Sequence, residues 1–351
     1  MLKKRILSTV QYIFFLGIGV LLLWLGFRKL ELDEVWTDII EADYLWLMTA
    51  LLFAIVSHIF RALRWNLLVN SLGYRTRLSS TFYSVMVGYL ANTAVPRMGE
   101  FARCGVLSRK EKIPFNTLFG TVISERFFDL FVLLFILVLI ILLQLDLVGA
   151  FVYRIFNPYL EKAFSNITSI ILLVITVLLV TAGFIWLIFR IKERMKSFSF
   201  YQKARDFLAG IIHGIKTIFR MNQKWLFLFY TFAIWLCYII MVYLPFKMLP
   251  ETSMLNLMDG TTVMALGSLG IVAPVPGGIG AYHYITKVIL TELYAVEANA
   301  AMSYATIVHA GQTFLNITLG ALSYLMLGLY ARKQNPLNAI PGSNKKQDIQ
   351  R

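Results

Sequence analysis

Gly88-Tyr-Leu-Ala-Asn-Thr-Ala-Val-Pro-Arg-Met-Gly-Glu-Phe-Ala-Arg103 is the stretch on which the fold turns. It begins as a membrane helix would, but Val95-Pro96 and Gly99 stop it well short of the roughly 20 residues a span requires. A second stretch behaves the same way: Gly267-Ser-Leu-Gly-Ile-Val-Ala-Pro-Val-Pro-Gly-Gly-Ile-Gly-Ala-Tyr-His283 halts at Val275-Pro276-Gly277-Gly278. A matched pair of interrupted apolar segments, one in each half of a chain, marks a transporter site near the bilayer midplane. Non-helical backbone at that depth is tolerable only inside protein or beside water.

The composition agrees with a membrane location. The 351 residues are 58% hydrophobic and 15% charged, with mean hydropathy +0.70, whereas a soluble domain is about half apolar and a quarter charged. Lys3, Lys4 and Arg5 precede an apolar run that ends at Phe27 without a small-residue cleavage site, so it reads as an uncleaved first helix. Cys104 and Cys237 sit in different segments at no metal or redox spacing and read as packed thiols. The sequence gives no sign of a cofactor or metal site.

The net charge of +14 is sorted by loop, so it does not indicate nucleic acid. Arg61 to Arg77, Arg97 to Lys112, Arg190 to Lys224 and the tail are basic, while Glu31 to Asp43 is acidic. By the positive-inside rule the basic loops and both termini are cytoplasmic. Spans are expected at Val10–Phe27, Leu45–Arg64, Phe115–Leu143, Ile167–Phe189, Trp225–Phe246 and Ala300–Tyr330. Parity then requires Ser80–Val106 and Leu257–Leu293 to return to the side they left. The expected fold is all-α and polytopic: six full transmembrane helices plus two opposed re-entrant hairpins, with span–hairpin–span repeated in inverted orientation. The membrane domain covers residues 1–334, including an amphipathic cytoplasmic segment at 197–222. Residues 335–351 form a short basic tail.

Polar residues inside apolar runs are costly and mark sites. Arg97, Glu100 and Arg103 are spaced by three around the first break, so a helical continuation would put them on one face. Glu125, Arg126 and Asp129 form a second set in the third span, readable as a site or as a self-neutralising ion pair. The turn after Pro276 offers backbone N–H groups to an anion at a helix N-terminus. His309, Gln312 and Asn316 share a face of the last span and read as inter-helix hydrogen-bonding groups. Arg61 and Arg64 read as snorkelling to the inner headgroups.

Four pieces together carry a family resemblance: Arg61-Ala-Leu-Arg64-Trp65 running on to Gly73, Asn92-Thr-Ala-Val-Pro96-Arg97-Met-Gly99-Glu100-Phe-Ala-Arg103, Glu125-Arg126-Phe-Phe-Asp129, and Pro274-Val-Pro276-Gly277-Gly278-Ile-Gly280. The chain resembles the membrane, flippase-like domain of lysylphosphatidylglycerol synthases. The resemblance implies movement of an anionic or modified phospholipid between leaflets. It makes Asn92, Pro96, Arg97, Gly99, Glu100, Arg103, Glu125, Arg126, Asp129, Pro276, Gly277, Gly278, Gly280 and His283 the candidate substrate-binding residues. At His283 the family often carries Glu. An aminoacyl-transferase domain is not expected in this chain, so synthesis of the lipid is not expected either.

The sequence therefore favours a lipid flippase of the prokaryotic cytoplasmic membrane, not an enzyme, with a phospholipid or lipid-linked substrate as its partner. Two other readings remain open. One is an intramembrane lipid-modifying enzyme using buried carboxylates as acid or base, although no nucleophile–base pair, P-loop or HExxH motif is present. The other is a non-catalytic partner of an envelope enzyme, or a homo-oligomer, recruiting through the amphipathic segment.

Overall fold

The computed structural model describes residues 2–147, 221–270 and 275–334, with isolated positions between 149 and 183. The expected span Ile167–Phe189, the amphipathic segment 197–222 (except Met221 and Asn222), Pro274 and the tail 335–351 lie outside the described residues.

Among the described residues every long element is helical. In chain order they are α1 (Leu2–Phe27), α2 (Leu32–Glu41), α3 (Tyr44–Ser71), α4 (Leu78–Ala94), α5 (Gly99–Glu111), α6 (Phe115–Leu143), α7 (Lys224–Tyr243), α8 (Leu257–Gly270), α9 (Ala281–Tyr294) and α10 (Ala298–Gln334). Short 3₁₀ turns, Leu244–Met248 and Pro276–Gly278, extend α7 and introduce α9. Among the described residues, four stretches are long and apolar enough to cross a membrane: Tyr44–Ser71, Phe115–Leu143, Lys224–Met248 and Ala298–Leu329. Ile13–Phe27 and Leu32–Glu41 pass together across a 93° bend. The bend follows from composition. The apolar α1 gives way to α2, which carries Asp33, Glu34, Asp38 and Glu41 and docks on the start of α10 through Ser303 Oγ donating to Asp38 (2.7 Å).

The arms α4, α5, α8 and α9 hold 17, 13, 14 and 14 residues. At 1.5 Å per residue none spans a hydrocarbon core of about 30 Å. They pair as two hairpins, α4 with α5 and α8 with α9. The first return arm is longer than the sequence suggested, because Arg109 and Lys110 continue the helix into its last turn, where cations suit the helix dipole. Each hairpin has its own core. Trp65, Val85, Met86, Cys104, Leu107, Leu118 and Val122 close around α4 and α5. Phe246, Leu255, Val263, Leu290, Ala301 and Tyr304 close around α8 and α9. The hairpins face each other: the Pro276–Gly278 turn packs on α4, and a Cβ at Gly277 would stand 3.6 Å from the Thr93 carbonyl. Cys104 and Cys237 are buried free thiols.

One expected boundary is wrong in a way that matters. The second span does not end at Arg64. α3 continues to Ser71, and Arg61 and Arg64 are buried inside the protein.

Candidate functional site

The first break is closed by side chain and backbone together. Asn92 Oδ1 accepts from Gly99 N–H at 2.6 Å, supplying the cap that the start of α5 needs. Gly88 and Gly99 let α4 and α5 touch backbone to backbone. A Cβ at Gly99 would collide with the Gly88 carbonyl and lie 2.5 Å from Asn92 Nδ2. Asn92, Gly99 and Pro96 thus shape the turn. Arg97 does not share a face with Glu100 and Arg103 as expected. It precedes the helix, is exposed, and sits at φ 61°, in the left-handed region.

Glu100 and Arg103 do not pair with each other either, because α6 presents opposite charges to both. Glu100 receives Arg126 Nη2 at 3.2 Å, and Arg103 Nη1 lies 3.3 Å from Glu125 Oε2. Glu125 is fully buried; its Oε1 accepts from Arg61 Nε and Arg64 Nη2, each at 3.1 Å. Asp129 takes the Arg64 guanidinium on both oxygens, at 2.7 and 2.8 Å. Arg64 also donates to Thr231 on α7, and Arg61 donates to the hydroxyls of Tyr89 (2.5 Å) and Tyr238 (3.0 Å). Glu100 and Arg103 of the first trio and all three residues of the second therefore belong to one cluster with Arg61 and Arg64, built by α3, α4, α5, α6 and α7. Arg61, Arg64, Arg103 and Arg126 face Glu100, Glu125 and Asp129, four cations to three anions.

The snorkelling reading of Arg61 and Arg64 is overturned: both are buried, and Arg64 has no exposed surface. Removing one partner of such a buried pair costs about 3–5 kcal/mol because the other charge is left uncompensated. Arg61, Arg64, Tyr89, Thr231 and Tyr238 were missed as site residues. The signal was present in the three-residue spacing of Arg61 and Arg64, which puts both on one helix face.

Arg103 differs from its neighbours. It is 3% exposed, its guanidinium stacks 4.9 Å from the Trp65 ring, and its Nε and Nη2 have no hydrogen-bond partner among the described residues. It lines a cavity of about 20 Å³ with Arg61, Tyr89, Asn92, Glu100 and Arg126, enough for about one water molecule.

The second break is a separate place. Gly277, Gly278 and Gly280 take φ of 60°, 77° and 82°, conformations that favour glycine. Gly278 and Ile279 donate their N–H groups within the turn, to Val275 and Pro276, so those two are not offered to an anion as expected. The Gly277 carbonyl accepts from His309 Nε2 at 2.9 Å, and the His283 ring lies 4.7 Å from that of His309. His283 is buried and its Nδ1 lacks a hydrogen-bond partner among the described residues. None of Pro276, Gly277, Gly278, Gly280 and His283 lines the arginine-bearing cavity. On the same face of α10, Asn316 Oδ1 meets His58 Nε2 at 3.1 Å, so His309 and Asn316 both make the inter-element hydrogen bonds expected of them.

Residues 12–320 match the family model described as the lysylphosphatidylglycerol synthase TM region. The chain belongs to that family. Its relatives include UPF0104 membrane proteins of two archaea. The one from Methanocaldococcus jannaschii is 29% identical over 45% of this chain and 44% of its own length. The one from Methanothermobacter thermautotrophicus is 23% identical over 76% of this chain and 81% of its own. Glycosyltransferase AglD of Haloferax volcanii is 27% identical over 36% of this chain and 21% of its own length. The chain thus spans less than half of the first of these relatives. No solved structure matches it significantly. The chain is a multi-pass membrane protein of the lysylphosphatidylglycerol synthase TM family.

Proposed function

We propose that this protein moves an anionic phospholipid or lipid-linked headgroup between the leaflets of a prokaryotic cytoplasmic membrane, with both termini in the cytoplasm. Residues up to 334 act as one membrane domain, with a short basic tail after it. The observation that carries this reading is Arg103. It is a buried guanidinium with two idle donors, at the edge of a cavity, beside a helix break shielded by two facing hairpins. A buried cation left short of partners is expensive, and a phosphate would satisfy it with charge-assisted bonds. Arg61 and Arg64 hold Glu125 and Asp129 in place, while Arg103 and Arg126 are left to meet the ligand. The family match and the excess of cations over anions in the cluster support the same reading.

The test is transbilayer movement in proteoliposomes with fluorescent phosphatidylglycerol and phosphatidylcholine. Faster movement of the anionic lipid is expected; equal rates with and without protein for both lipids would refute the reading. The similarity to a glycosyltransferase favours a second reading, in which the site serves an enzyme acting on a lipid-linked substrate. It predicts a chemically altered lipid in the same vesicles, which mass spectrometry of the extracted lipid would detect.

A further inference from the structure

The cluster is graded by depth. Side-chain exposure is 0% at Glu125 and 4% at Arg103, then 25% at Glu100 and 42% at Arg126. The Glu100–Arg126 pair is therefore the outer end of the site and Arg103 the inner end. Both ion pairs cross the same seam, from α5 to α6, and the stacked rings of Phe101 and Phe119 (5.0 Å) close it alongside them. The cavity, about 20 Å³, is lined by both arginines and is exposed at its Glu100–Arg126 end, so a headgroup that reaches Arg103 along the seam passes that pair.

We infer that Arg103 and Arg126 form a two-arginine clamp for one phosphate, reached through the α5/α6 seam, and that Glu100 occupies the outer arm of that clamp in the empty protein. The inference rests on the anion-site reading above and adds the way in and the residue that guards it. A phosphate that takes Arg126 from Glu100 and fills the idle donors of Arg103 bonds to both elements at once, so it replaces the contact across the seam that it breaks. While it is paired with Arg126, Glu100 excludes anions that cannot compete for that guanidinium, which makes it a specificity-determining residue. Arg61 and Arg64 do not exchange partners. Their carboxylates and hydroxyls hold them, and Arg64 is already bound bidentately by Asp129.

Val85 lines the cavity and is 2% exposed, so a cysteine there reports access. The full chain carrying Val85→Cys, Cys104→Ala and Cys237→Ala would be held in phosphatidylcholine nanodiscs and labelled with a sulfonate-bearing thiol reagent. Adding Glu100→Gln should speed labelling about fivefold, the worth of a half-exposed ion pair. The reversed pair, Glu100→Arg with Arg126→Glu, should return the rate to its starting value. An unchanged rate in Glu100→Gln, or a reversed pair that stays fast while eluting as folded protein, overturns the inference. In the Glu100→Gln protein, phosphatidylglycerol or inorganic phosphate should protect the cysteine. Protection by the lipid assigns a headgroup, protection by inorganic phosphate alone assigns a free anion, and protection by neither refutes the clamp. Protection without transbilayer movement would sink the translocation reading and leave the clamp standing.

Discussion

Arg64 and Arg103 are both buried arginines beside Glu125, yet they carry different burdens. Arg64 holds two carboxylates and a threonine, so Arg64→Ala should lower stability by about 3–5 kcal/mol. Arg103→Gln removes one ion pair and leaves Glu125 with two other arginines, so its cost should stay below about 2 kcal/mol. Thermal unfolding of the two variants in the same detergent checks this, and equal losses would contradict the division of labour. Arg97 is a third case. A non-glycine residue at φ 61° costs roughly 1–2 kcal/mol, a strain that Arg97→Gly relieves. In the sequence, Arg103 and Glu125 stood out because charge in an apolar run demands a reason. Arg61 and Arg64 did not, since a cation near the expected end of a span has an ordinary explanation. Only the continuation of α3 to Ser71 removes that explanation.

The helix breaks were legible because proline and closely spaced glycines leave few alternatives. Which partners the charges would choose was not legible: spacing along one helix says nothing about the helix packed against it. At this scale the first hairpin depends on the bare backbone at Gly88 and Gly99. Gly99→Ala must displace either Asn92 or the Gly88 carbonyl, and overpacking of this kind costs typically 1–3 kcal/mol. The expected result is a lower melting temperature with faster proteolysis between α4 and α5, and an unaltered melting temperature would count against the close contact. The second hairpin is tied to α10 by His309 and Gly277. The sequence identified that turn correctly, but offered its N–H groups to a ligand where the structure uses two of them internally.

Across the whole molecule, two helical hairpins with separate cores face each other, and the inverted repeat expected from the charge sorting would set them in opposite orientations in the membrane. If the first hairpin re-enters, exposed residues just before α4 and just after α5 lie on one side of the membrane. Cysteines replacing Arg75 and Lys112 should therefore react from the same side in oriented vesicles, while one replacing Asp33 reacts from the other. Labelling of Arg75→Cys and Lys112→Cys from opposite sides would mean that the segment crosses. The central claim is that a headgroup moves through the site around Arg103. The direct measurement is phosphatidylglycerol movement in proteoliposomes containing wild type, Arg103→Gln or His309→Gln, each checked for folding. Wild type and His309→Gln should move the lipid, and Arg103→Gln should not. Movement by folded Arg103→Gln at the wild-type rate would contradict the account.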